Sequence, residues 1–329
     1  MDEIESATST AVKKQKTRFN NTVILFIILA VMFALFSYIG RPFFFSRLNL
    51  IPMLNNLSFI GIVAAVLTMV MISGEIDFSV GGNIGLTACL TALLLERGLP
   101  GWLVVIIALC GGLLMGAFNG MLVTVVGVNS IMATIGTMFI WRGIGYTLSN
   151  GESILAMNPV IDFIGRGFIF RVIPFPIILL VVFFLLTYVI MNQSKWGRRI
   201  YAIGANPIAS FLSGINVKRV KFINFLFCGF TASLGGLILT SLSAVGMPQH
   251  GQGLELVIVS SIILGGTALG GGKGQILGTL AGVLILSILY NFLTIMNIYY
   301  FYIQIVQGTV LILVVSTYEI RQAMARRRI

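Results

Sequence analysis

The sequence predicts an all-α, polytopic membrane protein of about ten transmembrane helices, and three observations predict it. Of its 329 residues, 57% are hydrophobic and only 9% are charged, with 37 glycines, and mean hydropathy is +1.02; soluble domains carry roughly 25% charged residues. The apolar residues fall in runs approaching the ~20 that a helix needs to cross a bilayer. Glycine is the small residue that lets helix backbones approach one another in a membrane bundle. An ordinary soluble protein is excluded.

The first run, Asn21 to Gly40, is too long for a signal-peptide core and is followed by no small-residue cleavage site, so it reads as a retained span. Further runs lie near 52–73, 82–96, 101–127, 131–149, 173–192, 221–245, 255–270, 276–296 and 299–318, separated by Gly, Pro, Asn or charged breaks. Lys13, Lys14, Lys16 and Arg18 precede the first run, and Arg321, Arg326, Arg327 and Arg328 follow the last. Because basic residues stay on the cytoplasmic side, both tails (1–20 and 319–329) are expected there, flanking one membrane domain, 21–318. That topology places fifteen of the 21 Lys and Arg inside, five outside and Arg142 within a span. The net charge of +11 is thereby absorbed by membrane orientation, with no nucleic-acid partner. The runs 82–96 and 255–270 are short, glycine-bounded and preceded by carboxylates, which marks them as broken or half-length helices.

One connection differs. Residues 193–220 are polar and basic, and within them Asn206 and Pro207 can cap and start a helix, PIASFLSGI has apolar residues at helical spacing, and Gly214 can end it. Two readings stand: a short interfacial docking helix, or a plain basic loop obeying the charge rule.

A weak internal repeat is also visible. GEIDFSVGG, Gly74 to Gly82, places Glu75 and Asp77 between spans two and three, and GQGLELVIV, Gly251 to Val259, places Glu255 between spans seven and eight. If spans two to five recur as seven to ten, the offset of five inverts the second copy, as in transporters built from inverted repeats. Acids near a hydrocarbon core are candidates for a pathway, while a carboxylate at a helix start also caps backbone donors and complements the macrodipole. Arg142, about 20 Å along its span at 1.5 Å per residue, needs a partner, and Glu255 at similar depth supplies one, as an outer gate or as packing. Asn55, Asn56, Ser73, Asn83, Thr87, Asn129, Thr134, Thr137 and Asn291 lie in or beside the spans. Uncharged hydrogen-bonding groups suit a hydroxyl-rich solute, or equally an interhelical bond.

Several chemistries are missing. GGTALGGGKGQ, Gly265 to Gln275, has Gly274 where a phosphate-binding loop needs Ser or Thr, so this chain is not expected to bind ATP itself. The one histidine, His250, is expected to be an exposed loop residue and cannot build a zinc protease motif or a catalytic triad. Cys89, Cys110 and Cys228 lie in apolar runs without metal-ligand spacing. No catalytic residues and no metal site are expected, and no acidic ring or carbonyl filter argues for an ion channel.

Three stretches resemble the permease subunits of bacterial ATP-binding-cassette importers of the ribose, xylose, galactose and arabinose type. SGEIDFSVG from Ser73 to Gly81 looks like that family's SGGIDLSVG, with Glu75 departing from its glycine; GRRIYAIGANPIASFLSGINV from Gly197 to Val217 is similar to its GRxxYAIGGNxxAAxLSGI; the third is GQGLELVIVSSIILGGTALGGGKG, Gly251 to Gly274. The resemblance implies a type II-like importer permease in the bacterial inner membrane, paired with a second permease subunit as homo- or heterodimer. It also implies an ATPase, as two copies or two domains, that carries the ATP and Mg, and an extracytoplasmic sugar-binding protein. The coupling segment would then be Ala202, Ile203, Gly204, Ala205, Asn206, Pro207, Ala209, Leu212, Ser213, Gly214 and Ile215. The pathway and gate candidates are Asn55, Asn56, Glu75, Asp77, Asn83, Thr134, Thr137, Arg142 and Glu255. The alternative is a self-sufficient secondary transporter of a small polar solute, with Asp77 or Glu255 binding the driving ion.

Overall fold

The computed structural model of the chain describes residues 23–326. Its helices are α1 (Val23–Ile39), α2 (Arg47–Ile72), α3 (Val80–Glu96), α4 (Gly101–Met121), α5 (Ser130–Ser149), α6 (Pro159–Arg166), α7 (Phe175–Gln193), α8 (Lys195–Ala205), α9 (Pro207–Leu212), α10 (Val217–Ser243), α11 (Leu254–Leu264), α12 (Ile276–Ile295) and α13 (Tyr300–Arg326). Each of the ten expected spans holds one of these helices, and α6, α8 and α9 lie between them. Among the described residues, five segments are long and apolar enough to cross a membrane unaided: α2, α4 with its following turn Leu122–Val126, α7, α10 and α12. The terminal cations Lys13, Lys14, Lys16, Arg18, Arg327 and Arg328 lie outside the described residues, as do the side chains of Arg321 and Arg326.

Local chemistry sets several boundaries. The Ser46 hydroxyl accepts from the Asn49 N–H at 3.2 Å and starts α2. Asn129 Oδ1 accepts from the Ile131 N–H to start α5, and Asn216 Oδ1 accepts from the Arg219 N–H to start α10. The run expected over 255–270 is cut at Leu264, because Gly265 and the left-handed Gly266 (φ +89°) end α11 after 11 residues. At 1.5 Å per residue that is about 16 Å, half a bilayer core. The other candidate half-helix, α3, instead runs 17 residues, about 25 Å. The last helix continues past the expected end at 318 to Arg326.

α2 and α10 form the axis of the bundle, and beyond their polar first turns most of their residues are buried because other helices cover them. α4 packs on α10 while α12 packs on α2; α3 packs on α5 while α11 packs on α13; α3 reaches α10 while α11 reaches α2. Exchanging α2 with α10, α3 with α11, α4 with α12 and α5 with α13 converts each pair into the other. The two copies run in opposite senses: α2 ends at Ile72, whose carbonyl abuts Gly204 of α8, whereas α10 begins just after α9. The packing is that of an inverted repeat over spans two to five and seven to ten. At the α4–α10 crossing, a Cβ on Gly229 would lie 2.3 Å from the Gly112 carbonyl oxygen, so the backbones touch there only because side chains are absent.

At the end of the bundle away from α9, the connection after α5 folds into a small cap. Ile154–Leu155 pairs antiparallel with Val245–Gly246, and Phe168–Ile169 with Ile173–Pro174. Between them α6 is capped by Asn158 Oδ1, closed by an Arg166–Asp162 ion pair, and tied to α10 by the Ser241 hydroxyl donating to the Asp162 carbonyl.

Candidate translocation and coupling sites

The break between α2 and α3 is built from Ser73–Ser79. Asp77, 1% exposed, uses Oδ1 to accept from the Ser79 N–H at 2.9 Å and the Ser79 hydroxyl at 2.6 Å. Its Oδ2 is buried with no partner, beside the Cys228 thiol of α10. The Asn119 amide of α4 donates to the Ser79 hydroxyl, and the Asn119 Oδ1 is again buried and unpartnered. Thr134 of α5 accepts from the Phe78 N–H and donates to the Ser130 carbonyl, and Thr137 donates to the Thr134 carbonyl. Asn83 donates to the Gly229 carbonyl, the Thr87 hydroxyl lies within hydrogen-bond distance of both Asn83 Oδ1 and the Ser233 hydroxyl and shares its one hydrogen between them, and Ser233 donates to the Ala108 carbonyl of α4. Since Gly229 lies twelve residues into α10, about 18 Å, this network sits at mid-depth.

The second break converges on the first. A Cβ at Gly81, in the first turn of α3, would lie 2.1 Å from Glu255 Oε2 and 2.8 Å from the Gly251 carbonyl; the bare glycine lets the two helix starts meet. Glu255, 7% exposed, accepts from the Gly253 N–H through Oε1, while Oε2 has no partner. The expected Arg142–Glu255 pair does not form. The two charges influence one another, but among the described residues the ion pairs are Arg166–Asp162 and Lys221–Glu75, and Arg142 keeps Nε and Nη2 buried without partners. Arg142 lies one helical turn past Met138, whose backbone packs on Gly82, and is thus held beside the carboxylate instead of on it.

The remaining candidates separate. Glu75 is not in the convergence: it pairs at 2.5 Å with Lys221 of α10, each side chain 15% exposed. That partner was not anticipated, and only the odd acid at position 75 hinted at it. Asn55 is buried on α2 with Oδ1 unpartnered, whereas Asn56 is exposed. Asn49 and Asn291 exchange amide hydrogen bonds between α2 and α12. His250 departs from the expectation of an exposed loop residue. It is half-buried, its backbone lies against Gly85 of α3, and burial pulls the imidazole pKa down to about 4. No group of three or more His, Cys, Asp or Glu among the described residues could hold a metal ion.

The segment 193–220 is two helices with different surroundings. Ser194 caps α8 by accepting from Trp196 and Gly197 N–H groups, and Gly197, Ile200 and Ile203 bury its inner face. Gly204 is seated against the Ile72 carbonyl, where a Cβ would come within 1.8 Å, and against Gly272; the Gly272 N–H donates to that same Ile72 carbonyl. The glycine cluster 270–274, which does not fit a phosphate loop, is thus the joint between α2, α8 and the loop before α12. Asn206 caps α9 by accepting from the Ala209 N–H at 3.0 Å, Pro207 occupies the first turn, and Gly214 (φ +80°) ends it. α9 leaves Ile208, Phe211 and Leu212 exposed at 74%, 69% and 79%. Ala202–Ala205 are therefore anchored, and Pro207–Leu212 project.

This bundle, with two half-depth helix starts and one projecting capped helix, is matched by a family described as "branched-chain amino acid transport system / permease component", over residues 49–315. The chain belongs to this permease family. The permease is 36% identical over 277 residues to the ribose import permease protein of Bacillus subtilis (strain 168), covering 84% of this chain and 86% of that one. It is 33% identical to a probable ABC transporter permease protein of Escherichia coli (strain K12), over 93% and 92% of the two chains, and 29% identical to the xylose transport system permease protein of Haemophilus influenzae, over 89% and 94%. No solved structure matches the permease.

Proposed function

We propose that the chain is the membrane permease of an ATP-driven importer of a sugar or sugar-like solute in a bacterial inner membrane, with both termini cytoplasmic. One observation carries the coupling half: α9, a six-residue helix capped at both ends that presents Ile208, Phe211 and Leu212 to solvent beside the basic residues Lys218 and Arg219. Exposed apolar residues rimmed by charge mark a protein contact. An ATPase subunit gripping α9 would transmit its closure through Asn206 to Gly204, and from there to the end of α2 and the Glu75–Lys221 pair. ATP and Mg would reside on that partner, and this chain would hold no cofactor. The pathway half rests on the unpartnered atoms of Asp77, Asn119, Glu255 and Arg142, which gather around the converging helix starts. Buried polar atoms demand partners, and a polyhydroxylated solute supplies them when the site opens. Substrate would arrive from a binding protein, and a second permease copy or relative would complete the pathway. No observation favours ion coupling.

The test is affinity capture of the detergent-solubilised permease from its native membrane. Wild type is expected to bring down an ATPase subunit, and Ala209→Asp and Phe211→Asp, both at exposed positions, to lose it with the fold intact. Retention of the ATPase by both variants, or its absence from wild type, would overturn the reading. Gly204→Trp is unsuitable for this purpose, since its side chain would displace the Ile72 carbonyl.

A further inference from the structure

α8 turns off the end of α7 and directs Arg198, Tyr201, Ala202 and Ala205, one face at i, i+3, i+4 and i+7, into a cavity of about 710 Å³ facing the start of α12. Asn192, Gln275 and the backbone of Gly272 and Gly274 complete its polar wall, and Met191 and Ile276 its apolar floor. The Tyr201 hydroxyl is fixed by donating to the Gly274 carbonyl at 2.9 Å, and the exposed Lys273 stands between the two lining glycines. Among the described residues no carboxylate pairs with Arg198.

The cavity does not end there. Tyr188 and Leu277 also line a second, apolar groove of about 280 Å³ that continues between α7 and α12 past Leu185 and Leu280 to Leu180. From Asn192 to Leu180 is twelve residues of α7, about 18 Å at 1.5 Å per residue, against about 15 Å for one leaflet of a ~30 Å hydrocarbon core. A cationic, hydrogen-bonding chamber opening into an apolar channel one leaflet long matches an amphiphile with an anionic head. Basic pockets between transmembrane helices hold anionic lipid headgroups by this chemistry.

We propose that this groove binds one anionic phospholipid, its phosphate on Arg198 and an acyl chain between α7 and α12. The lipid would brace α8 against α12, adjoining the Gly204–Gly272 joint. It would thereby make the seating of the projecting α9 depend on membrane composition.

The experiment is native mass spectrometry of the full chain in detergent, supplied with phosphatidylglycerol, phosphatidylcholine of the same acyl chains, or soluble glycerol 3-phosphate. Wild type is expected to retain one phosphatidylglycerol about fivefold better than phosphatidylcholine, the fold-change that ~1 kcal/mol per basic residue represents. Arg198→Ala should abolish that preference without changing phosphatidylcholine retention, Arg198→Lys should restore it, and Arg219→Ala, a cation of the same end outside the groove, should leave it intact. Leu185→Trp, which crowds the apolar channel, should lower retention of both lipids. Equal loss in the Arg198 and Arg219 variants would mean a diffuse basic face, and undiminished binding of glycerol 3-phosphate a free-phosphate site; either overturns the proposal, as does equal retention of the two lipids by wild type. Melting curves of each variant identify any that fail to fold, and Arg198→Lys against Arg219→Ala then decides.

Discussion

Glu75 and Lys221 show how one residue departing from a family pattern acquires a structural reason. The two side chains, each 15% exposed, join the α2–α3 break to the second turn of α10, the helix entered directly from α9. Removing one partner strands a poorly hydrated charge, so Glu75→Gln or Lys221→Met alone is expected to cost about 1–3 kcal/mol of stability. The double variant, which strands no charge, should recover most of it. Melting of the solubilised permease measures this, and a Lys221→Met variant as stable as wild type would show that the pair contributes nothing. His250 yields a pH signature. Its folded pKa of about 4 lies below the ordinary 6.5, so between those values the unfolded chain binds a proton that the folded chain refuses. Stability from this residue is complete above pH 6.5 and is lost as pH falls towards 4. His250→Gln should flatten that part of the melting-temperature profile, and identical pH slopes would show that the imidazole is not buried in solution.

At the scale of the element, α9 depends on its cap. Six residues cannot hold a helix by propagation alone, and Asn206 Oδ1 satisfies the Ala209 N–H, an interaction worth about 0.5–2 kcal/mol. Asn206→Ala is expected to raise hydrogen exchange over 207–213 and weaken ATPase capture, while Asn206→Asp, which still accepts the bond, preserves both. Unchanged exchange in the alanine variant would mean that tertiary contacts hold α9. This helix was legible in the sequence because its start, period and stop are all local signals. The half-length character of α11 was legible from its glycine bounds, but its end was not: the apolar run continues to 270, and Gly265 and the left-handed Gly266 cut it. The cap formed by α6 and the paired strands was likewise invisible, since two-residue strands carry no periodicity. Site residues were legible as types but not as partners. Asn83 and Thr134 find their partners, the Gly229 carbonyl and the Phe78 N–H, 146 and 56 residues away, while Asp77 is held locally by Ser79 and reaches α4 only through the Ser79 hydroxyl, which accepts from Asn119. Arg142 and Glu255 were matched by depth alone, and depth fixes neither rotation about a helix axis nor the last few ångströms.

For the whole molecule, the inverted packing separates a frame from moving parts. α2 and α10 with α12 and α4 against them make buried, hydrogen-bonded contacts: Thr68 of α2 and Thr279 of α12 share a bond at 2.9 Å, and Ser233 of α10 donates to Ala108 of α4 at 2.6 Å. The starts of α3 and α11 are held differently, through short linkers, a Gly81–Glu255 contact and several unpartnered polar atoms, and elements with unsatisfied groups have most to gain by rearranging. Alternating access should therefore leave the frame unchanged and alter the linkers. In a chain with Cys89, Cys110 and Cys228 replaced, a Thr68→Cys/Thr279→Cys cross-link lies within the frame. An Ile76→Cys/Ser130→Cys cross-link, at the site where the Ile76 N–H meets the Ser130 hydroxyl, ties the first linker to α5. With a reporter cysteine at Asn119, buried in this state, maleimide labelling in the assembled complex is expected to change on adding ATP. The frame cross-link should preserve that change, and the linker cross-link should abolish it until reductant is added. If the frame cross-link blocks the change equally, the permease moves by shearing α2 past α12, and the two helices cannot be a fixed axis.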